Sequence, residues 1–175
     1  MEYLTFRAEP TISGDTLSGV VHVFGSVSQS VQHGTRHRFE AGAFDKSIAR
    51  GKVFGFYAHD HTKPLARPSL AVIDGKLRYS MELGHQSYAE DLRENMAAGL
   101  MNEMSFGVSS RKSHTERDAD GGIVTVHTVA ELVEVSPVVM GDFTGTGSTL
   151  HALGVEDRRR EMARARFRVA EEMTR

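Results

Sequence analysis

Short apolar runs that alternate with polar residues dominate the first three quarters of the chain. Leu17, Gly19, Val21 and Val23 alternate loosely with Val20, His22 and Phe24, which predicts a half-buried strand. Ser13-Gly14-Asp15 before it is turn chemistry, and the polar stretch from Ser26 to Arg38 reads as a loop. Glu40 to Ile48 leads into a short helix, with Phe44 and Ile48 one turn apart on the same face. Lys52 to Ala58 reads as a strand that Thr62-Lys63-Pro64 closes. Leu70 to Ile73 and Lys76 to Met81 flank Asp74-Gly75, the strongest hairpin signal in the chain. Ser87-Tyr88-Ala89-Glu90 has the form of a capping box, and the helix it opens runs through Leu92 and Met96 to a left-handed cap at Gly99. Met101 to Ser109 is the next strand, His114 to Gly122 a polar hairpin loop, and Ile123 to Val139 one or two strands. Strands outnumber the two or three helices. The expected fold class is therefore mainly β with peripheral helices (α+β), as a barrel or a curled sheet with helices packed outside.

Length and composition narrow the field. With 175 residues the chain amounts to about one domain and can bury a core without staples. Cysteine is absent, which excludes a disulfide scaffold, a cysteine nucleophile and thiolate metal sites. A formal net charge of −2 leaves no nucleic-acid footprint over the main domain. The opening Met1-Glu2-Tyr3-Leu4-Thr5-Phe6-Arg7 lacks the form of a signal peptide, and no apolar run reaches the ~20 residues of a membrane span. An intracellular protein is expected. After Gly141 the chain loosens into Thr144-Gly145-Thr146-Gly147-Ser148, which reads as a mobile loop or linker. The expected organisation is a main domain over 1–150 and a tail over 151–175. In that tail the stretch Val155 to Arg175 holds seven arginines among acids at helical spacing, the composition of a solvated surface helix or of a docking or removable segment.

Strand parity then selects three residues. Ser105 and Gly107 oppose the apolar Met104, Phe106 and Val108, and Glu134 opposes Val133 and Val135. His59 shares a parity with Gly55 and Tyr57, against Phe54, Phe56 and Ala58. If the apolar faces fill one core, an alcohol, an imidazole and a carboxylate emerge on a common side of the sheet. Serine needs a base within hydrogen-bond reach, and the base needs an orienter to fix its tautomer. Ser105, His59 and Glu134 fit nucleophile, general base and orienting acid. Gly107 offers room for a substrate backbone, and the backbone N–H groups of Ser105 to Gly107, or Arg111, are oxyanion-hole candidates. A rival chemistry uses His59 and His61 as ligands of a zinc- or manganese-type metal hydrolase, with His85, His114 or His127 supplying more. The proline after His61 speaks against it. No cofactor is expected under the serine reading.

Four pieces in order carry a resemblance. They are Gly42-Ala43-Phe44-Asp45; Tyr57-Ala58-His59-Asp60 with Lys63-Pro64-Leu65; Gly99-Leu100 with Met104-Ser105-Phe106-Gly107; and Leu132-Val133-Glu134-Val135-Ser136. Together they resemble the prohead (capsid maturation) proteases of tailed bacteriophages, over roughly Leu17 to Val139. The chain departs from that pattern at Leu65-Ala66-Arg67 and after Ser136, at neither point in the three chosen residues. The resemblance implies a serine endopeptidase with Ser105 as nucleophile, His59 as base and Glu134 as third member. It implies a closed or nearly closed β-barrel like that of the herpesvirus assemblins. It further implies cleavage of the scaffold or prohead-core protein and of the capsid-protein N-terminal extension, inside the immature prohead in the host bacterial cytoplasm. The portal is a further candidate partner and a homodimer a candidate assembly. The rival from outside enzymology is a non-catalytic capsid assembly factor on the same barrel.

Overall fold

The computed structural model describes residues 15–29 and 35–143, together with a strand at 147–151. The stretch Val155 to Arg175, with its expected arginine-rich tail, lies outside the described residues. The described strands form two sheets. In the first, β5 (Ser69–Ile73), β6 (Lys76–Glu82), β1 (Thr16–Val23) and β9 (Gly147–His151) lie side by side in that order. The hairpin between β5 and β6 turns on Asp74 and Gly75, both at positive φ, as the Asp-Gly signal requires. In β1 the register slips between Val20 and His22. This bulge turns both Val21 and His22 inward, and both are fully buried.

The second sheet is organised by β8 (Ile123–Val138). β7 (Glu103–Arg117) runs antiparallel along one edge of it. The other edge is shared by two parallel partners: β2 (Arg36–Phe39) beside its first half and β3 (Phe54–Tyr57) beside its second. β4 (Asp60–Ala66) pairs outside β3. One continuous core draws Leu17 and Val21 from β1, Leu77, Tyr79 and Met81 from β6, Met104 from β7 and Ala130, Leu132 and Val135 from β8. Helix α1 (Asp45–Arg50) adds Ile48 at its margin and follows the buried Phe44, and α2 (Ser87–Ala97) contributes Ala89, Leu92 and Met96. A fully buried Leu92 alone contributes about 1.5–3 kcal/mol by apolar burial.

The fold is mainly β with few helices, as the patterning predicts. Several boundaries differ, each for a physical reason. β2 falls inside the expected loop, because Arg36 to Arg38 is a polar strand that takes its order from pairing with β8. Thr62-Lys63-Pro64 lies inside β4 and does not close β3; β4 is an edge strand, where a proline costs no ladder bond on its free side. β7 continues to Arg117, so only 118–122 remains as the turn. α2 begins at Ser87 with Gln86 at the cap and no side-chain cap bond, one residue short of a working capping box. Gly99 is left-handed as expected. Residues 147–148, expected to be mobile, start β9. Both sheets are open among the described residues.

Candidate active site

The β7–β8 ladder sets one polar face. Ser105 lies directly opposite Ser136, and Gly107 opposite Glu134. Directly opposed residues project to the same side of a sheet, so these four share a face. The other face carries Met104, Phe106 and Val135 into the core. Past Glu134 the register jumps, because Val108 pairs with Leu132 and leaves Val133 as an extra residue. That bulge lets Leu132 and Val135 both face the core while Val133 is exposed, where simple alternation puts Val133 with Val135.

His59 reaches this face from a turn. Tyr57 pairs with Asp60, and the two residues between them, Ala58 and His59, have φ of 48° and 62°. Two successive positive φ values make a primed two-residue hairpin turn, unusual without glycine. The turn is tied down by the Ala58 N–H, which donates to the Pro137 carbonyl of β8 at 3.2 Å. Parity in β3 is the reverse of the expectation. Phe54 pairs with Glu134, so the phenylalanines stand on the polar face, and Phe56 stacks on His61 with ring centroids 4.6 Å apart. Gly55 faces the core, where a Cβ would meet Met81 Sδ at 2.7 Å.

At the centre, His59 Nδ1 lies 2.7 Å from Glu134 Oε1. The second carboxylate oxygen, Oε2, accepts a hydrogen bond of 2.5 Å from the Ser136 hydroxyl. Glu134 is buried, and the imidazole half-exposed. Gly107 permits the arrangement: a Cβ there would lie 2.6 Å from Glu134 Oε1. The room that the sequence offered to a substrate is taken by the carboxylate. The hydrogen bond to Glu134, helped by its charge, raises the His59 pKa above the ordinary 6.5 against the opposing effect of burial. With Nδ1–H given to the carboxylate, Nε2 is the nitrogen that can take a proton. Ser105 is partly buried and makes no hydrogen bond to the ring among the described residues. Its register places it diagonally from Glu134, a spacing of about 7–8 Å between backbones. Arg111, an oxyanion-hole candidate by sequence, is ion-paired with Glu131, which also holds Arg50.

Residues 3–159 match the family described as caudovirus prohead serine protease. The chain belongs to that family. It is accordingly a serine peptidase of phage capsid maturation. No curated protein matches it. No helix among the described residues of the prohead protease is long and apolar enough to cross a membrane. Nor do any three of its described histidine, aspartate and glutamate side chains converge as metal ligands. His59 turns to Glu134 while His61 stacks on Phe56.

The prohead protease carries a second hydroxyl–imidazole chain that sequence reading missed, because one of its members lies in the unforeseen β2. Ser110 Oγ is 2.9 Å from His127 Nδ1, and His127 Nε2 is 2.9 Å from His37 Nδ1. For His127 to act as a base toward Ser110, its proton must sit on Nε2 and point at His37 Nδ1. His37 would then carry its own proton on Nε2, which is buried without a partner. The opposite order leaves the same nitrogen as a bare acceptor without a partner among the described residues, and an unsatisfied buried donor or acceptor costs a similar ~1–3 kcal/mol. His37 then donates to His127, and His127 donates to Ser110. In that order Ser110 is an acceptor, and the chain braces β2, β8 and β7.

Proposed function

We propose that the protease cuts peptide bonds with Ser105 as nucleophile, His59 as general base and Glu134 as orienting acid. The observation that carries this reading is the His59–Glu134 hydrogen bond, formed on the face that Ser105 shares. In the proposed sequence Nε2 of His59 takes the Ser105 proton as the oxygen attacks the scissile carbonyl carbon. The imidazolium then delivers that proton to the amine nitrogen as the C–N bond breaks. Water, deprotonated by the same ring, releases the acyl group from the serine. Glu134 holds the ring and stabilises its cationic form. In this reading the Ser105–His59 hydrogen bond forms as substrate binds, since such bonds are often long before the substrate arrives.

The proposed substrates are the scaffold or prohead-core protein and the N-terminal extension of the major capsid protein, cut within the immature prohead. Family membership supports capsid-related substrates in general. The portal and a second copy of the chain are candidate partners on the same ground. A nearly closed barrel of the assemblin type is supported by the approach of β9 to β7, which brings the two sheets together at one side.

Replacement of Ser105 decides the matter. Ser105→Ala is expected to leave a folded protein that accumulates uncut capsid precursor, and a fluorophosphonate probe is expected to label Ser105 in the parent protein and nothing in the variant. Labelling of Ser110 in the variant would transfer the role to the other hydroxyl–imidazole chain. Unchanged processing in Ser105→Ala would leave the non-catalytic assembly reading in its place.

A further inference from the structure

Ser136 is fully buried, and its hydroxyl turns to a side chain two residues back on its own strand rather than to the backbone. It lies opposite Ser105 in the ladder and donates to the one oxygen of Glu134 that His59 does not use. A carboxylate accepts through two oxygens. With both occupied by fixed partners, and with Gly107 beneath it, the group has a single orientation. We propose that Ser136 is a positioning residue of the protease: by clamping Glu134 Oε2 it dedicates Oε1 to the His59 ring. The inference rests on the reading of His59 as base.

The clamp also sets how strongly the carboxylate pulls on the imidazole. A buried carboxylate that has lost a donor is poorly solvated. It gains more from a cationic neighbour, so it draws the imidazole toward the protonated form. Ser136 restrains that pull. The titratable and charged groups near His59 are Glu134 from β8 and, from its own hairpin, Asp60, His61 and Lys63. Asp60 is engaged by Thr62 and Lys63, β7 presents Glu103, Ser105 and Gly107 on this face, with Glu103 accepting from the Gly141 N–H, and β3 contributes Tyr57, whose hydroxyl accepts from Asn95 of α2.

Two measurements on the whole chain test the proposal. The first is the pH dependence of kcat/KM for cleavage of a peptide from the capsid-protein extension. In Ser136→Ala the acid limb is expected to move to higher pH, with kcat down at least tenfold at neutral pH, KM little changed, and partial recovery in alkali. Ser136→Thr, which keeps the hydroxyl, is expected to stay near the parent. The second is the NMR titration of the His59 ring, which needs no turnover and should move upward in Ser136→Ala. If the alanine variant does not fold, Ser136→Cys, nearly the same shape with a weak donor, carries both tests with a smaller upward shift. An unmoved His59 titration together with an unmoved acid limb overturns the proposal. If the ring titration moves but His59→Ala leaves cleavage intact, the clamp stands and the assignment of His59 as base falls.

Discussion

The chemistry proposed for this protease depends on the proton on His59. Its pKa is raised above 6.5, chiefly by the hydrogen bond to Glu134. The ring therefore stays cationic to higher pH than a free histidine, and only the neutral ring accepts the serine proton. Activity should rise with pH through a limb that lies above the ordinary histidine value. Glu134→Gln removes the leading cause of the rise, so the limb should move down in pH while kcat falls by about 10²–10⁴-fold through lost orientation. A pH profile of kcat/KM for both proteins reads the two effects separately. The members of this group were legible in the sequence to different degrees. Ser105 and Glu134 sit in strands whose polar parity was correct. His59 was chosen on a wrong geometric ground, since positive φ at a non-glycine pair leaves no mark in an alternation pattern.

Among the elements, the β7–β8 pair determines how close the carboxylate can lie to the imidazole. Gly107 is the narrowest point, because a methyl group there overlaps the Glu134 oxygen that His59 uses. Gly107→Ala is expected to force the carboxylate aside, lowering kcat at least tenfold. Crowding against the buried Glu134 should also cost about 1–3 kcal/mol of stability, measurable by denaturant unfolding. Glycine in a strand signals a close approach, but the sequence does not say of what. Strand positions were read well where alternation was clean or a turn was explicit, as at Asp74-Gly75. They were missed where order comes from a partner. Arg36-His37-Arg38 has no apolar rhythm of its own, and the bulges at Val21 and Val133 break a period that a single sequence shows as unbroken.

For the whole molecule, the weak point under acid is the core. His22 is fully buried among the rings of Phe24, Phe39, Phe44, Phe106 and Phe143, and neither ring nitrogen has a partner among the described residues. Burial lowers its pKa from 6.5 to about 4. A depressed histidine pKa means that the unfolded chain binds the proton more readily than the folded one. The stability from keeping this ring neutral is complete above pH 6.5 and is lost as the pH falls toward 4. The gap from 6.5 to about 4, at ~1.4 kcal/mol per unit, amounts to roughly 3 kcal/mol. His22→Leu should flatten the dependence of the melting temperature on pH across that window, as calorimetry would record. Alternation placed His22 on the less apolar face of β1, and only the bulge brought it inside.

The parallel seam between β3 and β8 has a consequence in time. Ser105 and Glu134 arise within one hairpin, but the imidazole that meets Glu134 comes from 75 positions earlier in the chain. Joining distant parallel strands is among the slow steps of folding. Under the proposed mechanism, a newly made copy, still emerging from the ribosome or not yet fully compacted, would therefore carry an inert alcohol. Its cutting power would arrive only once the seam closes, which delays damage to neighbouring virion proteins until this polypeptide has finished folding.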